Sequence, residues 1–277
     1  MFKVIGIGDN VVDKYLHIKT YFPGGNALNF AVYAKMFGIN SAYMGVFGND
    51  EPGNHIKSVL QEIGVDYSHS VTEEGENGFA RVNLVEGDRV FLKGNGGGVS
   101  SKKPLKLYKR DLEYIKNFDI IHSSCYSSME KEYYKLKDLN IFFSFDFSDS
   151  ISDEYLKEIC PYISFGLLSC SHLSLEETKE KLIKTRDYGC KYALASRGVE
   201  GATFFDGKRF YTKKANRVEP VDTLGAGDSF VTAFLCNLVQ KEKSYCEEVV
   251  NESLEKGAEF AAKTCMVMGA FGYGKKY

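Results

Sequence analysis

The chain has 277 residues, 44% of them hydrophobic, which is enough to bury a large α/β core. Its 35 basic and 37 acidic residues leave a formal net charge of −2, so no strong field favours nucleic acid or an anionic membrane, and a small-molecule partner is expected. No stretch approaches the roughly 20 apolar residues of a spanning helix and the N-terminus lacks a long apolar core, a pattern that points to the cytoplasm.

Val4 to Gly8 reads as a buried strand. Asp9 and Asp13 follow it four residues apart, where a parallel strand delivers its ligand site, although either is also a good turn former. Asn26 to Phe37 reads as a helix with Gly24-Gly25-Asn26 at its first turn, and Ser41 to Phe47 as the next strand. A helix from His55 to Ile63 should close at Gly64 as its C-cap. Phe79 to Val85 and Arg89 to Leu92 flank Glu86-Gly87-Asp88, a hairpin signature that interrupts the α/β rhythm. Gly94 to Gly98 lacks the Gly-Lys-Ser/Thr of a P-loop and no helical pattern begins immediately after it, so it reads as a mobile connection. Ile120-Ile121, Ile141 to Phe145 and Tyr192 to Ala195 continue the alternation. The pattern implies a three-layer α/β sandwich with a mostly parallel sheet, one domain over residues 1–277, without internal repeats.

The decamer Val221 to Phe230, VDTLGAGDSF, joins a strand-like start to a glycine-rich turn and a helix marked by Val231, Phe234, Leu235 and Leu238, an apolar stripe at helical spacing. Gly225, Ala226 and Gly227 leave backbone free to approach a ligand, and the helix N-terminus aims unpaired N–H groups at negative charge, so the turn suits a phosphate. Asp228 falls in the first helical turn. Helix capping accounts for a carboxylate there, as does a base that takes a proton from an attacking hydroxyl beside the phosphate. A long helical pattern runs from Asn251 to Met268. The five histidines show no metal-ligand spacing, and the seven cysteines form no CxxC pair and are odd in number; the cysteines are expected to be reduced and mostly buried.

Asp222 to Asp228, DTLGAGD, closely resembles the DTxGAGD signature of ribokinase-like (PfkB) carbohydrate kinases. Gly24-Gly25-Asn26-Ala27-Leu28-Asn29 and Gly45 to Gly53 resemble further family elements in the expected order. Gly6 to Asp13 and Phe145 to Asp149 are similar to the fructoselysine 6-kinase branch. The resemblance implies a ribokinase-like fold with a small β-sheet lid from segments near 11–22 and 77–100, and a homodimer through that lid. It implies ATP with Mg2+, Asp228 as base, and an anion hole at Gly225, Ala226 and Gly227. Sugar contacts fall on Asp13, Gly24, Gly25 and Asn29, with Asp9 beside them. Ser196, Gly198 and Gly201 match the strand-end element that approaches the nucleotide, and Arg197 could add charge there or lie solvated. Asp222 and Leu224 match a monovalent-cation site, with K+ as the activator.

The same resemblance implies phosphorylation of the terminal 6-hydroxyl of a ketose-derived sugar, fructoselysine or a related Amadori compound. Alternatives are a PfkB kinase for fructose, ribose or a nucleoside, and a non-catalytic sugar-binding regulator. Arg81, Arg89, Glu86 and Asp88 are placed on the lid where an aminoacyl group needs charged partners, and a solvated hairpin explains them equally well. One departure stands out: the family's magnesium-organising NxxE is absent from Gly166 to Ser174.

Overall fold

A computed structural model describes residues 1–85, 88–241 and 246–277. In chain order the first half gives β1 (Lys3–Gly8), β2 (Val11–Tyr15), β3 (Thr20–Gly24), α1 (Asn26–Met36), β4 (Asn40–Gly48), α2 (Glu51–Ile63), β5 (Val71–Glu73), β6 (Phe79–Val85) and β7 (Asp88–Leu92). There follow α3 (Val99–Lys102), α4 (Lys109–Ile115), β8 (Ile120–Ser124), α5 (Tyr133–Lys137), β9 (Phe142–Asp146), α6 (Asp153–Ile159) and β10 (Phe165–Ser169). The chain ends with α7 (Leu175–Asp187), β11 (Tyr192–Ser196), β12 (Ala202–Phe205), β13 (Phe210–Lys213), α8 (Ala226–Gln240), α9 (Glu247–Thr264) and β14 (Lys275–Lys276).

Nine strands form one sheet in the order β13-β12-β11-β10-β9-β8-β1-β4-β5, parallel from β11 to β5 and antiparallel at β12 and β13. Its two faces are assigned by the period of two along each strand. Val4, Ile120, Leu167 and Leu194 join the core beneath α1, α8 and α9, whereas their neighbours Ile5, Ile121, Leu168 and Ala195 join the core beneath α4 to α7. Three layers result, as the alternation of elements implies.

The second, smaller sheet is the lid: it has five strands in the order β14-β3-β2-β6-β7, built mainly from β2, β3, β6 and β7. Its fifth strand was not expected: Lys275 and Lys276 at the C-terminus pair antiparallel with Tyr21 and Thr20 of β3. Among the described residues no helix is long and apolar enough to cross a membrane.

Local signals set several boundaries. Helix α2 starts earlier than the apolar pattern implied, because the Asp50 side chain accepts from the Gly53 N–H and Pro52 sits in the first turn; it ends at left-handed Gly64 as expected. Helix α8 is buried on all sides from Ser229 to Val239 rather than along one stripe, because α1, α9 and the sheet enclose it. The 94–98 glycine stretch is a hydrogen-bonded turn that leads directly into a short helix, where no helical pattern was expected. Gly98, at φ 63, opens α3, and the Asn95 side chain accepts from the Phe79 N–H and donates to the Asn77 carbonyl. All seven cysteines are free thiols, five of them buried.

Candidate active site

Five adjacent parallel strands, β1, β8, β9, β10 and β11, end on one edge of the sheet and deliver in that order Asp9, Ser124, Asp146, Ser169 and Ser196. Register ties them together: Ser124 lies opposite Asp146, and Ser169 opposite Ser196. The carboxyl edge of a parallel sheet is where an open α/β fold forms its ligand crevice. Helices α1 and α8 bring their N-termini to the same edge, and the lid roots there through the short links from β1 to β2 and from β3 to α1.

Two asparagines on the first turn of α1 each hold a carboxylate. Asn26 Nδ2 donates to Asp146 Oδ2 at 2.8 Å, and Asn29 Nδ2 donates to Asp228 Oδ2 at 2.6 Å. They lie three residues apart, so a helix presents them side by side. Asp146 Oδ1 accepts from the Ser148 N–H at 2.6 Å. Asp228 lies in the first turn of α8, yet its carboxylate bonds Asn29 and caps no helical N–H, so the capping role is not the one it adopts.

Burial, and then the neighbouring charges of Asp9 and Asp149, push the Asp146 carboxyl up to about 7. Burial and then Asp146 likewise hold Asp228 well above the usual carboxylate range, against the lowering effect of the Asn29 bond. Among the described residues no lysine or arginine pairs with either carboxylate within 4 Å, so a ligand that brings a cation or a proton donor would relieve both.

Asp9 is fixed from one side. Its Oδ1 accepts from Ser124 Oγ at 2.7 Å, Ser127 Oγ at 3.0 Å and the Ala27 N–H at 3.3 Å. Asp13 lies on β2, opposite Phe22 of β3 and Ala80 of β6, and is buried. A Cβ on Gly24 would stand 2.5 Å from Asp13 Oδ2 and one on Gly25 3.0 Å from Asp9 Oδ2, so the bare Gly-Gly backbone is what lets both carboxylates approach the start of α1.

A cavity of about 1010 Å3 runs over this edge. Asn26, Asp146, Ser169, Ser196, Gly225, Gly227 and Asp228 line it from the sheet side, and Tyr15, His17 and Phe91 from the lid. A second, more apolar cavity of about 690 Å3 adjoins it, sharing Ser196, Pro220, Thr223 and Gly227. Gly198, Gly201, Ala226 and Phe230 line this second space, closed by Ala258, Ala261 and Ala262 of α9. A polar chamber at a helix N-terminus beside an apolar slot of small side chains suits a phosphate chain joined to a flat heterocycle. Gly225 makes the turn between them: it is left-handed at φ 75, and a Cβ there would meet the Tyr33 hydroxyl.

Of the residues expected at the site, the structure gathers Asp228, Gly225, Ala226, Gly227, Ser196, Gly198 and Gly201 along the two cavities, with Asp222 and Leu224 in the wall of the first. Asp9, Asp13, Gly24, Gly25 and Asn29 form a second group behind it, joined to Asp228 through Asn29. Arg81 is not brought in: it is exposed on β6, where its guanidinium lies over the Phe79 ring and donates to the Lys93 carbonyl. Arg197 also stays out of both cavities and donates to the Leu173 carbonyl at 3.3 Å. Glu86 lies outside the described residues, as do the side chains of Asp88 and Arg89.

Sequence reasoning missed Ser124, Ser127 and Tyr15, set His17 aside with the other histidines, and quoted Asn26 and Asp146 without giving either a place in the site. Only Asp146 carried a usable signal, a carboxylate at the end of a buried strand; the others acquire meaning through partners more than 100 residues away or through the lid.

Fold and cleft together define a ribokinase-like α/β protein with a β-sheet lid. The ribokinase of Arabidopsis thaliana, solved with ribose and ATP, superimposes with a TM-score of 0.81 at 22% identity over 99% of this chain and 96% of that one. The ribokinase of Giardia lamblia does so with a TM-score of 0.81 at 16% identity over 100% and 98%. The sequence narrows the class further. Residues 10–271 match the model of the pfkB family of carbohydrate kinases, and the chain belongs to that family. It is 42% identical to the fructosamine kinase FrlD of Bacillus subtilis over 99% of this chain and 95% of that protein. It is 31% identical to the fructoselysine 6-kinase of Escherichia coli over 96% and 98%.

Proposed function

We propose that this kinase, acting as one domain in the cytoplasm, transfers the γ-phosphoryl group of ATP to the terminal 6-hydroxyl of fructoselysine or a related Amadori compound. The observation that carries the chemistry is the Asp228 carboxylate, held by Asn29 at the N-terminus of α8 and lining the polar cavity. The observation that carries the substrate class is the high identity, over nearly full length, to kinases named for fructosamine and fructoselysine.

In this reading the adenine occupies the apolar slot against α9, and the phosphates lie at the Gly225-Ala226-Gly227 turn. Backbone N–H groups and the dipole of α8 stabilise the charge of the transferring group there. The sugar lies against Asp13, Gly24, Gly25 and Asn29, with Asp9 braced behind. Asp228 accepts the proton of the attacking hydroxyl; its raised proton affinity makes it a stronger base than a solvated carboxylate, and Asn29 favours its charged form. Lid closure over Asp13 excludes water from the transfer.

Magnesium fits this chamber. Asp146, Asp228, Ser169 and Ser171 offer oxygen donors, and the ion keeps most of its water while needing one or two carboxylates beside the phosphates. When bound, it neutralises phosphate charge during transfer. For potassium the fit is weaker: three donors, from Tyr15, Leu224 and Gly269, already converge on the Asp222 carboxylate, so an activating ion near Leu224 would compete with them. A homodimer through the lid belongs to the same reading. It draws support from the exposed Val90, Phe91 and Leu92 on β7, the edge strand opposite β14.

An ATP-to-ADP coupled assay tests this across fructoselysine, other fructosyl amino acids, fructose, ribose and nucleosides, with Mg2+ and with or without K+. Selective turnover of fructosyl amino acids is the expected result, and preference for a plain sugar or nucleoside would overturn the substrate. Asp228→Asn should lower kcat by about 10³-fold with the fold retained. A variant that keeps its turnover would remove Asp228 as the base.

A further inference from the structure

Tyr15 ends β2, the lid strand that also carries Asp13, and strand alternation puts the two residues on one face. Its hydroxyl donates to Asp222 Oδ2 at 2.5 Å. The same oxygen accepts from the Gly269 N–H at 2.9 Å, and Oδ1 accepts from the Leu224 N–H at 3.0 Å. One buried carboxylate thus joins three segments: the lid, the turn that leads to Asp228, and the chain that follows α9. Tyr15 is 2% exposed and Asp222 6%, so these charge-assisted bonds form out of water, where they are strong. Apolar packing repeats the connection. Tyr15, Phe22 and Val82 form a small cluster separate from the main cores, and Leu224 and Met268 pack on it.

We propose that Tyr15 is a positioning residue that couples sugar binding on the lid to the phosphate-binding turn, an inference that rests on the kinase reading above. A sugar held at Asp13 fixes β2, and β2 fixes Tyr15 two residues on. The hydroxyl then sets Asp222, and with it the Leu224-Gly225 backbone that opens α8. Such coupling is reciprocal: sugar tightens nucleotide by the factor by which nucleotide tightens sugar.

The test measures the affinity of a non-hydrolysable ATP analogue by calorimetry, with and without fructoselysine, in the wild type, Tyr15→Phe and Phe22→Leu. In the wild type the sugar should tighten the analogue about fivefold or more. Tyr15→Phe removes only the hydroxyl; it should reduce that factor below about twofold and lower kcat, with each ligand alone binding nearly as before. Phe22→Leu keeps the hydroxyl while loosening the same cluster, and should lower the melting temperature with the coupling intact. The proposal is overturned by coupling that survives in Tyr15→Phe, that is missing from the wild type, or that Phe22→Leu abolishes equally. A wild type that phosphorylates no compound in the panel removes the kinase reading and this inference with it. Wild-type turnover with unchanged coupling in Tyr15→Phe removes this inference alone.

Discussion

Asp146→Asn should make the protein more stable above neutral pH while impairing catalysis. Burial and neighbouring acids raise the Asp146 carboxyl from 3.8 to about 7 in the folded chain, so the fold prefers it protonated. The sign follows from linkage. Because the folded proton affinity exceeds the unfolded one, the penalty is absent below about pH 4, grows as pH rises, and is complete above about pH 7. At about 1.4 kcal/mol per tenfold in proton affinity, the full penalty is about 4 kcal/mol, of which about 2–3 kcal/mol develops between pH 5 and 7. An asparagine is neutral throughout, keeps an oxygen for the Ser148 N–H, and can face a flipped Asn26 amide. Urea denaturation of both proteins from pH 5 to 8, in metal-free buffer with EDTA, measures the difference. The variant's advantage should widen up to pH 7 and then level off. A difference that stays constant with pH, or one that narrows, would refute the placement of a buried and largely uncompensated acid at the end of β9.

Asn29→Ala removes the donor that favours the charged form of Asp228, so the acid limb of the kcat/KM profile should move to higher pH, with a loss of about 10–100-fold at pH 7; an unmoved limb would show that the bond does not tune the base. His122, wholly buried, stacked on Phe30 and bonded to Ser144, is pushed down to about 3 by burial. The unfolded imidazole takes its proton near pH 6.5 and the folded one resists it, so stability falls as pH drops below about 6.5. Wild type should therefore lose about 2–3 kcal/mol relative to His122→Asn between pH 7 and 4.5, a difference that denaturant titrations at the two pH values would reveal.

What the sequence determined by itself was local. Short apolar runs bounded by turn residues marked β1, β4, β8, β9 and β11, and the apolar spacing after Gly227 marked α8, because apolar runs, helical spacing and glycine turns are properties of neighbouring residues. The motif from Asp222 to Asp228 likewise placed a carboxylate in the first turn of a helix, and its resemblance identified the family. Tertiary structure decided the partners. That Asp146 lies between Ser124 and Ser169 depends on the order of strands across the sheet, and that Asn26 and Asn29 reach Asp146 and Asp228 depends on how α1 packs against β1. The pairing of β14 with β3 and the joining of Tyr15 to Asp222 are contacts of the same kind. Each is a bond between residues far apart in the chain, favoured only once the two cores have formed, and its energy leaves no mark in any local pattern of residues.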